Sequence, residues 1–243
     1  MKKRSSIWML CAGSTVNRLL ALLVLMAAGS AGLFWLARPQ ESSNWPGLEM
    51  AFRQSHISWL FLLIFLLWTA VLLMPEHTKA VYTLNRLQVT PRQILVIQSC
   101  YNALSYVVLW GAQVLLLIAL FRWAGSTMPR ELYGPQSILL AFYRDDTLHS
   151  LMPLADWPRY LRNLAVLIGC GTSAAVVSRG LRRTNLYLVP LLVLAGGLAI
   201  WFPAEIGAWN NDVMLSFAVL MTAGIMVAVA APDLEKEEPD GEG

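Results

Sequence analysis

From residue 93 to residue 121 the chain runs without one charged side chain, and five further stretches share that character: 19–37, 57–74, 164–178, 185–202 and 213–231. A helix needs about 20 residues to cross roughly 30 Å of hydrocarbon. Because lipid offers no hydrogen bonds to the backbone, a run of this kind can satisfy its N–H and C=O groups only as a helix or within a closed barrel. Unbroken runs of this length, with no strict two-residue alternation, select the helix. With 57% apolar and 14% charged residues in 243, the chain departs far from the roughly 45–50% and about 25% of soluble domains. The expected fold is therefore all-α, an integral membrane bundle of six transmembrane helices. The spans fall near 15–37, 57–74, 91–121, 161–178, 185–202 and 212–231. They form one domain over 1–232, and an acidic tail over 233–243 is expected to be disordered, because nothing large and apolar follows Leu234.

Lys and Arg near span ends set the orientation. Lys2, Lys3, Arg4 and Arg18 precede or open the first span, Lys79, Arg86 and Arg92 lie between the second and third, and Arg179, Arg182 and Arg183 follow the fourth. The opposite connections carry Arg38, Arg53, Arg122, Arg130, Arg144, Arg159 and Arg162. The later ones are diluted over a long loop and offset by Glu131, Asp145, Asp146 and Asp156. Both termini are thus expected in the cytoplasm. Trp45, Trp123, Trp157, Trp201 and Trp209 fall at the external span ends, where an indole can bury its ring and still reach headgroups. The basic start followed by a long apolar run reads as an uncleaved signal anchor. The absence of glycosylation sequons suits a bacterial source and a multi-pass protein of the plasma (inner) membrane.

Little in the chain suggests catalysis. His56, His77 and His149 are isolated, Cys11, Cys100 and Cys170 have no paired spacing, and no phosphate-binding loop occurs. Asp145, Asp146 and His149 read as a solvated external loop rather than a metal cluster. No nucleic-acid partner is expected from a net charge of +3. The third span is the most polar: Gln98, Asn102, Ser105 and Gln113 fall within about 80° of arc at 100° per residue. Two roles suit that face, hydrogen bonding between helices or the lining of a transport pathway. Small residues cluster at 27–32, 169–175 and 196–197, and such spacing lets helices approach closely, within a subunit or between subunits. Between the second and third spans, Val81, Leu84 and Leu87 recur every three residues, with Lys79, Asn85 and Arg86 off that stripe. This pattern predicts a short amphipathic helix, lying on the inner leaflet or docked on a partner. Thr90-Pro91-Arg92-Gln93 then supplies a cap, a proline at the first helical position and a capping-box glutamine.

The stretch Tyr82-Thr83-Leu84-Asn85-Arg86-Leu87, leading through Val89-Thr90-Pro91 into the third span, resembles the coupling region of the membrane subunits of type-2 ABC exporters. The resemblance implies six spans, both termini inside, and Lys79, Val81, Tyr82, Leu84, Asn85, Arg86 and Leu87 as a helix engaging a separate cytoplasmic ABC ATPase. It implies no cofactor in this chain, with ATP and Mg held by the ATPase, and a second six-span subunit as partner within the bilayer. The long external loop here lies between spans three and four, whereas in that family the larger external element lies between spans five and six. A non-transporting scaffold or accessory subunit is the alternative expectation. Topology is open to single-cysteine labelling from outside on a cysteine-free background. A Cys at Ser137 is expected to react and one at Thr78 to stay protected; the reverse pattern would invert the orientation.

Overall fold

The computed structural model describes residues 2–37, 48–73, 90–127, 134, 136–154, 156–180 and 209–236. The expected coupling helix with Lys79, Val81, Tyr82, Leu84, Asn85, Arg86 and Leu87, the fifth apolar run 185–202 and residues 237–243 lie outside them. Among the described residues every regular element is a helix: α1 (Lys2–Leu36), α2 (Leu48–Ser55), α3 (Ile57–Leu73), α4 (Pro91–Thr127), α5 (Ser137–Arg144), α6 (Asp146–Leu151), α7 (Trp157–Gly180) and α8 (Trp209–Lys236). Four of them are long and apolar enough to cross a membrane, within Thr15–Leu36, Pro91–Ser126, Trp157–Ser178 and Asp212–Pro232, and α3 is a shorter apolar helix of 17 residues. A bundle with Leu20, Val24, Leu25, Leu63, Leu104, Leu115, Leu164, Phe217 and Ile225 exposed on its outside would aggregate in water. That surface suits a lipid solvent, and the chain is built as a multi-pass membrane protein.

The helix boundaries extend the sequence expectation at three places. Helix α1 begins at Lys2, so its 35 residues form a rod of about 52 Å, well beyond the hydrocarbon thickness. Helix α4 starts at Pro91, as the capping pattern predicts, and continues past residue 121 to Thr127. Helix α8 passes through Pro232 to Lys236, into the acidic segment expected to begin a disordered tail. Between α2 and α3, His56 adopts a left-handed backbone (φ 55°) and its carbonyl accepts the N–H groups of Trp59 and Leu60, which sharply turns the chain.

Side-chain pairings give the helix directions. Trp8 meets Tyr101, and Phe34 meets Phe121, so α1 and α4 run parallel. Trp68 meets Ser105 and Phe61 meets Trp110, so α3 runs antiparallel to α4. Gln98 meets Ser178 and Asn102 meets Gly171, which makes α7 antiparallel to α4 as well. Arg162 faces Asp212 and Gly169 faces Val219, so α7 and α8 are parallel. The N-terminus of α1 and the C-termini of α7 and α8 therefore share one end of the bundle, here the terminal end. Leu95, Val176 and Met226 pack together there. The opposite end is closed by α2, α5 and α6 over an aromatic cluster of Phe34, Phe52, Phe121 and Phe142.

Helix α7 is the central element, with 72% of its apolar window buried against 17% for α1 and 22% for α8. Its small residues make this position tenable. A methyl group at Gly171 would lie 2.6 Å from the Ala103 backbone nitrogen, and one at Gly169 would collide with Val219. The cluster at 169–175 thus packs α7 against α4 and α8 within the subunit. Gly29 plays the same part against Leu60, whereas Gly32 has nothing near it. Gly→Ala in a helix interior ordinarily gains up to about 1 kcal/mol, whereas forcing atoms into a packed contact costs about 1–3 kcal/mol. At Gly171 the obstacle is backbone and cannot rotate away. Gly171→Ala is therefore expected to lower the melting temperature in detergent, read by tryptophan fluorescence, while Gly32→Ala leaves it unchanged or raises it. Equal behaviour of the two variants would contradict the close approach.

Candidate functional site

Two polar groupings stand out in an otherwise apolar bundle. The first is the face of α4. Gln98 Nε2 donates to Ser178 Oγ (3.0 Å) and Asn102 Nδ2 to the Gly171 carbonyl (3.3 Å), both on α7. Ser105 Oγ donates to the Asn102 carbonyl (2.7 Å) and accepts from Trp68 Nε1 of α3 (2.9 Å). At the next residue of each helix, Thr69 and Tyr106 pair their hydroxyls at 2.7 Å. Gln113 is also buried, and its Oε1 has no hydrogen-bond partner. The structure therefore brings Gln98, Asn102 and Ser105 together at helix contacts, while Gln113 stands apart toward the other end of α4. In lipid such bonds matter because the amides have no water to fall back on.

The second grouping was not anticipated as a site. Asp145 and His149 are buried, not solvated: 145–151 forms the start and body of α6, folded onto the bundle. Asp145 caps α6, accepting the N–H groups of Thr147 and Leu148 at 3.0 Å each, and its other oxygen meets Arg53 Nε of α2 at 3.4 Å. His149 Nε2 lies 3.0 Å from Asp156 Oδ2, the residue whose carbonyl heads α7. Arg159 Nε sits 3.6 Å from Asp156 and 3.8 Å from Asp212. Arg162 Nη1 donates to Asp212 Oδ1 at 2.8 Å, and its Nη2 to Asn163 Oδ1 at 3.2 Å; Asn163 Nδ2 in turn donates to the Ser150 carbonyl at 2.7 Å. The network ties α6, α7 and α8 together at the end opposite the termini. Arg162 and Asp212 are each 7% exposed at their side chains.

Sequence reasoning counted Arg159, Arg162, Asp145 and Asp156 as loop charges that bear on topology. The missed signal is that Arg162 and Asp212 carry opposite charge in the opening turns of two spans expected to enter from the same side. Among the described residues no group of three His, Cys, Asp or Glu comes close enough to hold a metal ion. Both groupings join helices through hydrogen bonds and ion pairs. No family model, curated protein or solved structure matches this chain.

Removing one member of a buried ion pair leaves an uncompensated charge and costs about 3–5 kcal/mol, whereas replacing both by apolar groups is often neutral. Arg162→Met and Asp212→Leu are each expected to destabilise the protein strongly. The double variant should recover most of that loss, giving a large coupling energy. Thermal unfolding of the four proteins completes the cycle; additive losses would show that the pair acts as two independent charges.

Proposed function

We propose that this chain is the permease subunit of an ABC-type exporter of the plasma membrane, with six spans and both termini in the cytoplasm. In this reading it moves an unidentified substrate, pairs with a second six-span subunit, and is powered by a separate cytoplasmic ABC ATPase that binds ATP and Mg. The observation that carries the proposal is directional. Helix α3 finishes and α4 begins at the terminal end of the bundle, so the connection holding Lys79, Asn85 and Arg86 leaves on the same side as both termini. A coupling helix must face the cytoplasm with the termini, and the shared end of the bundle supports that reading. The parallel packing of α7 and α8 supports the sixth span. The end of α7 and the start of α8 lie at opposite ends of the bundle, and the apolar run 185–202, which lies outside the described residues, has by sequence nearly the length a crossing needs. In this reading the segment around Leu84–Leu87 moves as a rigid lever when the ATPase closes on ATP, and helix α4 suits the transmission of that movement. It is continuous over 37 residues, about 55 Å, and is locked to α7 by the Gly171 contact, so a push at Pro91 would reach the far end through two helices.

A scaffold or accessory subunit is the second reading. The hydrogen bonding of Gln98, Asn102 and Ser105 within the subunit favours it, because amides bonded between helices are not free to line a pathway. The two readings separate at the coupling segment. If Leu84 and Leu87 fill a groove on the ATPase, changing both to Ala removes packing of roughly 1.5–3 kcal/mol per buried side chain, and changing both to Phe overfills the groove. Each double variant is then expected to lose substrate-stimulated ATP hydrolysis in the reconstituted complex. Arg86→Glu should weaken ATPase co-purification in a salt-sensitive way. Wild-type hydrolysis in the Phe variant would point to a helix resting on the leaflet. Purification of the protein without any ATPase would leave the scaffold.

A further inference from the structure

Contacts between α1 and α4 fix the depth of each residue of α1. Thr15 Oγ1 meets the Tyr101 hydroxyl and Phe34 meets Phe121, so the two parallel helices keep one register over most of their length. Counted from the Thr15–Tyr101 pair, Asn17 and Arg18 fall beside residues 103 and 104 of α4. That is the middle of the bundle, where Asn102 meets Gly171 of α7 and Ser105 meets Trp68 of α3. By the same count Arg4 falls beside residue 90, next to Arg92 at the terminal end. Arg18 lies about 21 Å inward from Arg4 and about 27 Å short of Leu36, at 1.5 Å per residue. Snorkelling serves arginines near helix ends; this one stands midway along α1.

Asn17 and Arg18 are both exposed on the outer surface of α1. Acyl chains offer an amide or a guanidinium nothing to bond, so lipid is a costly neighbour at this depth. Asn17 shares its face with small residues. At 100° per residue Gly13, Asn17, Ala21, Ala28 and Ala31 fall within about 80° of arc, and all five are exposed. The smallness of Gly13 serves no contact among the described residues: a methyl group there would meet no atom within 4 Å, unlike one at Gly169 or Gly171. A glycine in a helix interior weakens the helix, and close approach by another chain is the gain that offsets it.

Chemistry selects the neighbour. The apolar run 186–200 of the same chain has no amide or charged side chain to offer. A second copy does. All copies share one orientation in the membrane, so a two-fold axis along its normal pairs α1 with α1 in parallel and sets Asn17 opposite Asn17. An amide both donates and accepts, which makes it complementary to its own copy. Small residues let the two backbones come close enough for that bond. Arg18 lies 100° round the helix from Asn17, so the two guanidinium groups flank the contact instead of meeting.

We propose that α1 is the contact between two copies of this chain, packed in parallel on the stripe from Gly13 to Ala31 and joined at mid-depth through their Asn17 amides. Such a pair gives a face to the second subunit that the permease reading requires, and the depth of Asn17 asks for it in a scaffold equally.

The test is oxidative cross-linking of single-cysteine variants in native membranes, on a cysteine-free background. Ala21→Cys and Ala28→Cys are expected to give a disulfide-linked species of twice the 27.0 kDa chain. Leu115→Cys on α4 and Ile225→Cys on α8, which are also exposed, should stay monomeric. In proteoliposomes, single-molecule photobleaching across protein-to-lipid ratios reads the dimer affinity. Asn17→Leu should weaken pairing by about threefold or more, as loss of an average interhelical hydrogen bond does. Gly13→Ile should weaken it by about tenfold or more, because the backbones are held apart. Leu115→Ala should leave it unchanged. Gly13→Ile is also expected to keep the melting temperature of the monomer, so that a lost dimer is not a lost fold. Cross-links at 115 or 225 in preference to 21 and 28, a product of any other mass, or a chain that stays monomeric at every ratio would overturn the pairing.

Discussion

The architecture depends on the backbone-to-backbone approach of α7 to α4 and α8. In water, three apolar helices would be driven together by the loss of exposed surface. In lipid that drive is absent, because leucine is as well solvated by acyl chains as by another leucine, and association rests on dispersion contacts and hydrogen bonds. Both weaken steeply with distance, so helices that associate must come close. Gly169 and Gly171 permit this, and the amide of Asn102 then donates to the carbonyl of Gly171 itself. The glycine and the hydrogen bond are parts of one contact: a side chain at 171 would separate the helices and strand the amide.

That requirement explains which helices were legible. Helices α1, α4 and α8 present long uncharged runs rich in Leu, Val and Met because much of their surface meets lipid. Helix α7 has the weakest signal of the four, with a mean hydropathy of 1.4 against 2.2–2.4 in the others, because it is surrounded by protein. Its glycines, Ser173, Asn163 and Arg162 are what a central helix uses for close packing and polar contacts, and they lower the apolar score. The face of Gln98, Asn102 and Ser105 was legible from its arc alone. What its amides touch was not, since Ser178 and Gly171 lie far along the chain.

The short helices α2, α5 and α6 were the least legible elements. Ser137–Tyr143 (SILLAFY) is too short to span, but nothing in its seven residues says that Ala141 and Phe142 turn inward, Phe142 onto Phe121, while Leu139, Leu140 and Tyr143 stay outside. The charges nearby were read as a balance sheet for topology, a use in which only their side of the membrane matters. Their pairing depends on tertiary proximity between residues as distant as Arg53 and Asp145, or Arg162 and Asp212.

The ion cluster has a further consequence for how the bundle assembles. Arg159 and Arg162 sit in the opening turns of α7, where the aligned peptides already place positive charge, so the helix alone disfavours both. Asp212 sits in the opening turn of α8, where its own helix favours it. The arginines thus become tolerable only when α8 lies beside α7, parallel and in register, with its carboxylate at their level. A slip of one helical turn would move the carboxylate by about 5.4 Å and leave a buried guanidinium without its counter-charge. The flank between α7 and α8 asks for the same register, because a slip of one turn would carry Gly169 away from Val219 and bring a residue with a side chain against it. Charge pairing at the end of the contact and the glycine fit along it therefore select one alignment together. The cluster acts as the register key for the pair of helices most extensively packed in the bundle.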